Sequence, residues 1–197
     1  RLVTILKKMG YVVGVTGDGV NDALALKRAD VGLAMGESGT DVAKEASDIV
    51  LTNDNFSTVV AAVEEGRTIY NNILKAITYL LTSNLSELSL IVFASLLNMP
   101  NPFFPTQILW INLVTDGIPA LALASDNRDV DILSKKPRNP NAPILSNGRL
   151  TFIATVGLTL SFFLLFIFAT LLENGSSETL ARTRIFNTLI ASHIILA

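Results

Sequence analysis

Cysteine is absent from the 197 residues, which excludes disulfides, thiolate metal sites and cysteine nucleophiles. Charge is scarce as well: Asp, Glu, Lys and Arg make up 16% of the chain, against roughly 25% in ordinary soluble domains. Half of the residues are hydrophobic and mean hydropathy is +0.48, a composition that points to membrane spans. The net charge of −2 lacks the basic excess that a nucleic-acid partner demands, so none is expected. An initiator Met, a signal peptide and a charged leader are all missing before Arg1, and the far end stops inside the apolar run Ile194-Ile195-Leu196-Ala197. Those ends predict a piece of a longer polypeptide. No internal repeat or low-complexity tract is present.

What remains divides in two. Residues 11–15 form a short apolar strand between Gly10 and Gly17, and residues 21–29 have helical composition with Asp22 in the first turn, where a negative charge suits the helix dipole. A second strand over 31–35 closes at Gly36, a short helix follows over 41–46, and a third strand over 48–52. This alternation predicts a parallel sheet covered by helices, with ligand-binding loops at the carboxyl ends of its strands. The expected fold class is therefore α/β joined to an all-α membrane region, with residues 1–58 as the α/β part and 59–197 as stalk and membrane part.

From Phe56 to Leu97 the only breaker is Gly66, and from Ile77 to Leu97 the only charged side chain is Glu87. That apolar stretch matches the ~20 residues needed to cross a bilayer. One long helix is expected, ended by Asn98-Met99-Pro100-Asn101-Pro102. The spans are expected at 77–97, 106–124, 151–172 and 185–197, the last cut short. The segment 126–149 carries Arg128, Lys135, Lys136, Arg138 and Arg149, so it should face the cytoplasm. An even number of crossings puts residues 1–70 on that side too. A multi-pass protein of the plasma membrane is the expected setting. Phe162, Phe163 and Phe166 should face lipid or pack between helices, and Asn174-Gly175-Ser176 reads as a plain turn.

The richest motif is Thr16-Gly17-Asp18-Gly19-Val20-Asn21-Asp22. Asp18 and Asp22 can supply carboxylates to Mg²⁺, which takes few of them and fills its other positions with water and phosphate. Gly17 and Gly19 permit close backbone approach, and Asn21 offers an amide to a phosphate oxygen. The plain alternative is a strand-to-helix turn capped by Asp22. The full run on to Gly36 closely resembles the hinge signature of the P-type ATPases, pumps with a haloacid-dehalogenase-like, Rossmannoid phosphorylation domain that pass through an aspartyl phosphate. The resemblance implies that Asp18 and Asp22 serve Mg²⁺, Asn21 contacts the transferred phosphoryl group, and Thr16 and Gly17 line the site. It implies ATP as cofactor, bound mainly by upstream parts. The family's Asp-Lys-Thr-Gly-Thr motif is missing, and its phosphate-contacting lysine should lie before Arg1. These residues alone are therefore expected to be inactive.

Inside the spans, Asn84 and Glu87 lie three apart, and Asn112, Thr115 and Asp116 repeat such offsets, which places each set near one helix face. A carboxylate in the bilayer is costly unless it meets a partner or an ion. Oxygen-only ligands suit a hard cation such as Ca²⁺. Gly117 and Pro119 should loosen the second span near Asp116, as in transporters that expose backbone carbonyls. For Asn84 or Thr115 singly, interhelical hydrogen bonding is the better reading; for Glu87 and Asp116 together it is not. Tyr79-Leu80-Leu81-Thr82-Ser83-Asn84-Leu85-Ser86-Glu87 and Leu109-Trp110-Ile111-Asn112-Leu113-Val114-Thr115-Asp116-Gly117 resemble the fifth and sixth membrane helices of the Ca²⁺-type pumps. The resemblance implies that Asn84, Glu87, Asn112, Thr115 and Asp116 bind the transported ion, and that 126–149 is the loop between helices six and seven.

His193, the only histidine, falls where the sarcoplasmic-reticulum-type pumps place a glutamate ligand and other members a glutamine. It is either part of the cation site or a histidine hydrogen-bonded between helices; a substitution here favours one ion per cycle over two. The expected whole is part of an ATP-driven cation exporter, with Ca²⁺ as cargo and Mn²⁺ or Na⁺/K⁺ as alternatives. Its expected partners are membrane lipid and the pump's actuator domain, nucleotide-binding domain and first four helices. A membrane-anchored haloacid-dehalogenase-type phosphatase and a non-catalytic fragment that regulates an intact pump are the other readings.

Overall fold

A computed structural model describes residues 1–127, 131–139 and 142–197; Arg128, one of the expected loop cations, lies outside them. The chain divides into two compact units, one of Arg1–Gly66 with Lys135–Pro140 and one of Arg67–Ser134 with Asn141–Ala197.

The first unit alternates helix and strand: α1 (Leu2–Lys8), β1 (Gly14–Gly17), α2 (Ala23–Arg28), β2 (Val31–Met35), α3 (Asp41–Ala46) and β3 (Ile49–Leu51). The strands pair in parallel in chain order, with Thr16 opposite Leu33 and Ala34 opposite Val50. Parallel neighbours need a crossover, and α2 and α3 provide it. Leu26, Ala34 and Ala43 form the buried centre, with Val15 and Ala46 packed around them. β1 starts later than the apolar run 11–15 suggests. Val13 spends its backbone on the turn before β2, donating to Asp30 Oδ2 at 3.0 Å and accepting from Asp30 N at 2.8 Å. Tyr11 and Val12 are left 61% and 62% exposed. The helix expected from residue 21 is likewise replaced at its start by a 3₁₀ turn, Val20–Asp22. Thr40 caps α3 by accepting from Ala43 N at 3.4 Å, the ordinary satisfaction of a helix's first donors.

α4 (Ser57–Leu96) is one helix of 40 residues, which at 1.5 Å per residue is about 60 Å long. It ends as its sequence predicts: Asn98 takes a left-handed φ of 53° and Met99 N closes back on Ala94 O at 2.9 Å, a common helix stop. α5 (Pro105–Trp110) runs into a π-helical turn, Ile111–Thr115, and then α6 (Gly117–Ala124). Asp116 N reaches Ile111 O at 2.9 Å, the wider i→i+5 bond of a π-turn. The cause is legible downstream: Pro119 has no N–H to offer the carbonyl of Thr115, so regular helix cannot run through. α7 (Asn147–Glu173) and α8 (Glu178–Leu196) complete the second unit.

Leu90, Ala94, Phe103, Ile111, Leu164, Phe168, Ile185 and Leu189 make the core between these helices. Phe162 and Phe166 are exposed, and Phe162 stacks on Phe93 with centroids 4.9 Å apart. Gly157 lets α7 approach α4 closely, because a Cβ there would lie 3.1 Å from Thr82 O and from Leu85 Cδ2. α8 begins before the expected residue 185, since Ser177 caps it by accepting from Leu180 N at 3.3 Å and Arg182 pairs with Glu178 at 2.9 Å. Among the described residues, Ser57–Leu96, Pro105–Ala124 and Asn147–Glu173 are long and apolar enough to cross a membrane. The chain is a membrane protein.

Candidate functional site

Two clusters of functional side chains are present, one in each unit. In the first unit a cavity of about 300 Å³ opens beyond the carboxyl ends of the strands, lined by Thr16, Gly17, Asp18, Asp22, Met35, Ser38 and Asp54. The sheet forces this placement, since each strand's carboxyl end delivers its loop to the same edge. Asp22 organises the first loop: its Oδ2 accepts from Asp18 N at 3.2 Å and from Gly19 N at 3.1 Å. Gly17 is required at this point, because a Cβ would sit 2.5 Å from Asp22 Cβ. Asp18 O in turn accepts from Thr40 N at 2.8 Å, fixing the loop to the cap of α3. The Asp18 side chain is exposed at the cavity, whereas exposed Asn21 is not among the lining residues.

Asp54 is a lining residue that no sequence motif announced. It has a left-handed φ of 50°, and its carboxylate accepts from Glu37 N at 3.0 Å and Ser38 N at 2.8 Å. The hydrogen bond from the Ser38 side chain, aided by the amides of Ser38, Glu37 and Gly36, lowers its pKa to about 2. The usable signal was position: Asn53-Asp54-Asn55 begins one residue after β3, at the same sheet edge as Asp18.

In the second unit, Glu87, Asp116 and His193 are 4%, 1% and 0% exposed. His193 Nδ1 lies 2.8 Å from Asp116 Oδ1, and His193 Nε2 lies 3.2 Å from Ser86 Oγ. Tyr79 donates its hydroxyl to the same Asp116 oxygen at 3.3 Å. Glu87 sits within electrostatic reach of both Asp116 and His193. Among the described residues, Glu87 Oε1 and Asp116 Oδ2 are buried without a hydrogen-bond partner. A buried, unpartnered carboxylate oxygen is expensive and calls for an explanation.

Not every expected ligand joins them. Thr115 is buried with Asp116, but Asn84 and Asn112 lie on exposed faces. Each returns its amide to its own helix, Asn84 Nδ2 to Leu80 O at 2.8 Å and Asn112 Nδ2 to Ile108 O at 3.0 Å. Residues three apart are about 60° apart around a helix, so the edge of the buried stripe falls between Asn84 and Glu87. On the next segment the π-turn breaks the regular register between Asn112 and Asp116. Tyr79 and Ser86 were not anticipated; both lie on the buried stripe of α4, where polar residues recur beside Glu87.

Near the other end of α4's apolar part, Asn72 Nδ2 donates to Asp126 O at 2.7 Å, Lys75 pairs with Asp126 Oδ2 at 2.6 Å, and Arg67 Nη1 donates to Ile132 O at 2.9 Å. The Lys75 hydrogen bond, then that of Asn127 N, holds the Asp126 carboxyl below its ordinary value. The segment after α6 is thus fastened to α4 by three separate side chains.

Comparison with known proteins gives the family. Residues 100–197 match the family described as "Cation transporting ATPase, C-terminus". The chain is 44% identical over 204 residues to the calcium-transporting ATPase of Bacillus subtilis (strain 168), an alignment covering 99% of this chain and 22% of that protein. It is 52% identical over 158 residues to an endoplasmic reticulum-type calcium-transporting ATPase of Arabidopsis thaliana, covering 80% of this chain and 15% of that protein. A calcium-transporting ATPase of Plasmodium falciparum (isolate K1 / Thailand) is 47% identical over 175 residues, covering 84% of this chain and 14% of its own length. The chain therefore spans about a fifth or less of the relatives it matches.

Proposed function

Because this chain belongs to the cation-transporting P-type ATPases, we propose that it works within a complete ATP-driven Ca²⁺ pump, contributing part of the phosphorylation domain and part of the ion path. The observation that carries this reading is the pair of buried, unpartnered oxygens, Glu87 Oε1 and Asp116 Oδ2, among apolar helices. A carboxylate there costs several kcal/mol unless a cation meets it. An oxygen-seeking cation that accepts irregular, 6–8-fold coordination removes the cost. Calcium-transporting relatives support Ca²⁺ over Mn²⁺ or Na⁺/K⁺ as the cargo. Thr115 adds a further oxygen beside Asp116. The exposed faces carrying Asn84 and Asn112 are where further segments of a complete pump can add ligands.

The first unit is read as the C-terminal part of a haloacid-dehalogenase-like domain, on the strength of its parallel sheet and acidic carboxyl-edge loop. The cavity chemistry fits Mg²⁺ with phosphate: Asp18 presents a free-standing carboxylate, and Asp22 holds the loop while lending negative charge. Bound Mg²⁺ would neutralise phosphate charge during transfer to an aspartate elsewhere in the pump. Gly17 keeps the backbone low at the cavity, and Asn21 stands one residue before Asp22 as the amide offered to phosphate. α4 connects the two units and is the element through which chemistry and transport would be coupled. The cell membrane is the proposed location, with residues 1–70 and 126–149 facing the cytoplasm.

The test is Ca²⁺-stimulated ATP hydrolysis by the complete pump. Glu87→Gln or Asp116→Asn should each lower apparent Ca²⁺ affinity by at least about tenfold, the low end of losing one charged ligand contact worth ~1.5–3 kcal/mol. Unchanged Ca²⁺ stimulation in both variants sinks the reading.

A further inference from the structure

We infer that His193 is a positioning residue of the cation site and not one of its ligands: it grips Asp116 by Oδ1 so that Oδ2 faces the cation. The inference rests on Glu87 and Asp116 binding the cation, as proposed above. Its own ground is the way the two oxygens of Asp116 differ. Oδ1 is engaged twice, by His193 Nδ1 at 2.8 Å and by the Tyr79 hydroxyl at 3.3 Å. Oδ2 is equally buried and engaged by nothing among the described residues. Two donors on one oxygen fix the carboxylate's rotation and leave the other oxygen as the single available ligand atom.

Each ring nitrogen of His193 has a polar neighbour. A carboxylate only accepts, so the proton on this edge of the ring belongs to Nδ1. Nε2 then lies 3.2 Å from Ser86 Oγ, whose single proton can go either to Nε2 or to Ser83 O at 2.8 Å. Neither ring nitrogen is hydrogen-bonded to Glu87 Oε1 or Asp116 Oδ2. The ring is 0% exposed, and Ile185 and Leu189 of the same helix, both fully buried, anchor α8 and limit any swing. A histidine that orients a carboxylate ligand raises metal affinity without touching the metal. The chain Ser86–His193–Asp116 also joins α4, α8 and the π-turn segment, so the grip is set by three elements at once.

Side-chain reach separates the two nitrogens: Asn at 193 can place an N–H near Nδ1, and Gln can place one near Nε2. In the complete pump, equilibrium ⁴⁵Ca²⁺ binding and Ca²⁺-dependent phosphorylation by ATP are measured for His193→Leu, His193→Asn and His193→Gln. His193→Leu and His193→Gln should weaken Ca²⁺ binding about ten- to a hundredfold while His193→Asn stays within about threefold of wild type, the range for loss and retention of an outer-shell partner. The Ca²⁺ bound per pump at saturation should be the same in all four proteins. A fall in that ratio in any variant makes His193 a ligand and overturns the inference. Wild-type affinity in His193→Leu overturns it as well, as does a Gln variant that binds better than the Asn variant. If His193→Leu does not fold, the order of Asn and Gln decides. Failure of the pump reading looks different: wild-type protein would then bind no Ca²⁺, or Glu87→Gln and Asp116→Asn would leave its binding intact.

Discussion

Asp54 shows how much one side chain can do at the edge of a sheet. Its left-handed backbone turns the chain out of β3, and its carboxylate ties down the amides of Glu37 and Ser38 across the cavity. The Ser38 hydrogen bond, with the neighbouring amides, lowers its pKa from 3.8 to about 2. The folded state therefore binds this proton less readily than the unfolded chain. The contribution is fully present above pH 3.8 and disappears as pH falls through about 2. A carboxyl-carbon NMR titration of the labelled protein should place the Asp54 midpoint near 2. Asp54→Asn should speed amide exchange at Glu37 and Ser38 near neutral pH, with the difference from wild type vanishing at the acid end. A midpoint at the ordinary value shows that the clasp does not form. Asp22 plays the same part for Asp18 and Gly19, so each lip of the cavity is held by a carboxylate that accepts backbone N–H groups.

Close approach as well as apolar packing places the helices. α7 meets α4 at Gly157, where the missing side chain leaves room for Thr82 O and Leu85. Small residues serve helix contacts in membranes because lipid tails provide no hydrophobic drive to pack larger ones. Gly157→Leu must push the helices apart; it should destabilise the bundle by about 1–3 kcal/mol, the usual cost of overpacking, read as a lower melting temperature in detergent. Unchanged melting would show that α7 does not sit there. The π-turn between α5 and α6 is an element-scale device of the same kind. It delivers Asp116 to His193 and Tyr79 while Asn112, a few residues earlier, stays on an exposed face.

For the whole molecule, the missing cysteines become an experimental handle. Single cysteines introduced at Ser134, after α6, and at Ser176, between α7 and α8, report topology with no other thiol among these 197 residues. With α4 and the α5–α6 segment as two crossings and α7 as a third, Ser134→Cys should react with an impermeant maleimide only from the cytoplasmic side. Ser176→Cys should react only from the opposite side. Labelling of both from one side contradicts α7 as a crossing. The positive charges at Lys135, Lys136 and Arg138 are the physical reason to expect that orientation.

Local pattern was enough for much of this. The strand and helix order of the first unit after α1, the length and end of α4, the disturbance before Pro119 and the presence of carboxylates in apolar spans all follow from short-range chemistry. Each depends on residues within a turn or two of one another. Tertiary structure alone decided which polar groups meet. Tyr79, Ser86, Asp116 and His193 come from three helical segments, and periodicity within any one of them cannot say which face a neighbour covers. The same limit explains why Asn84 and Asn112, legible as candidates, lie outside the buried cluster, and why Asp54 joins a cavity that its own segment does not announce. A sequence specifies periodicity and caps directly, because those are near-neighbour effects. The partner of a buried oxygen depends on where distant chain segments pack, and that is a property of the fold.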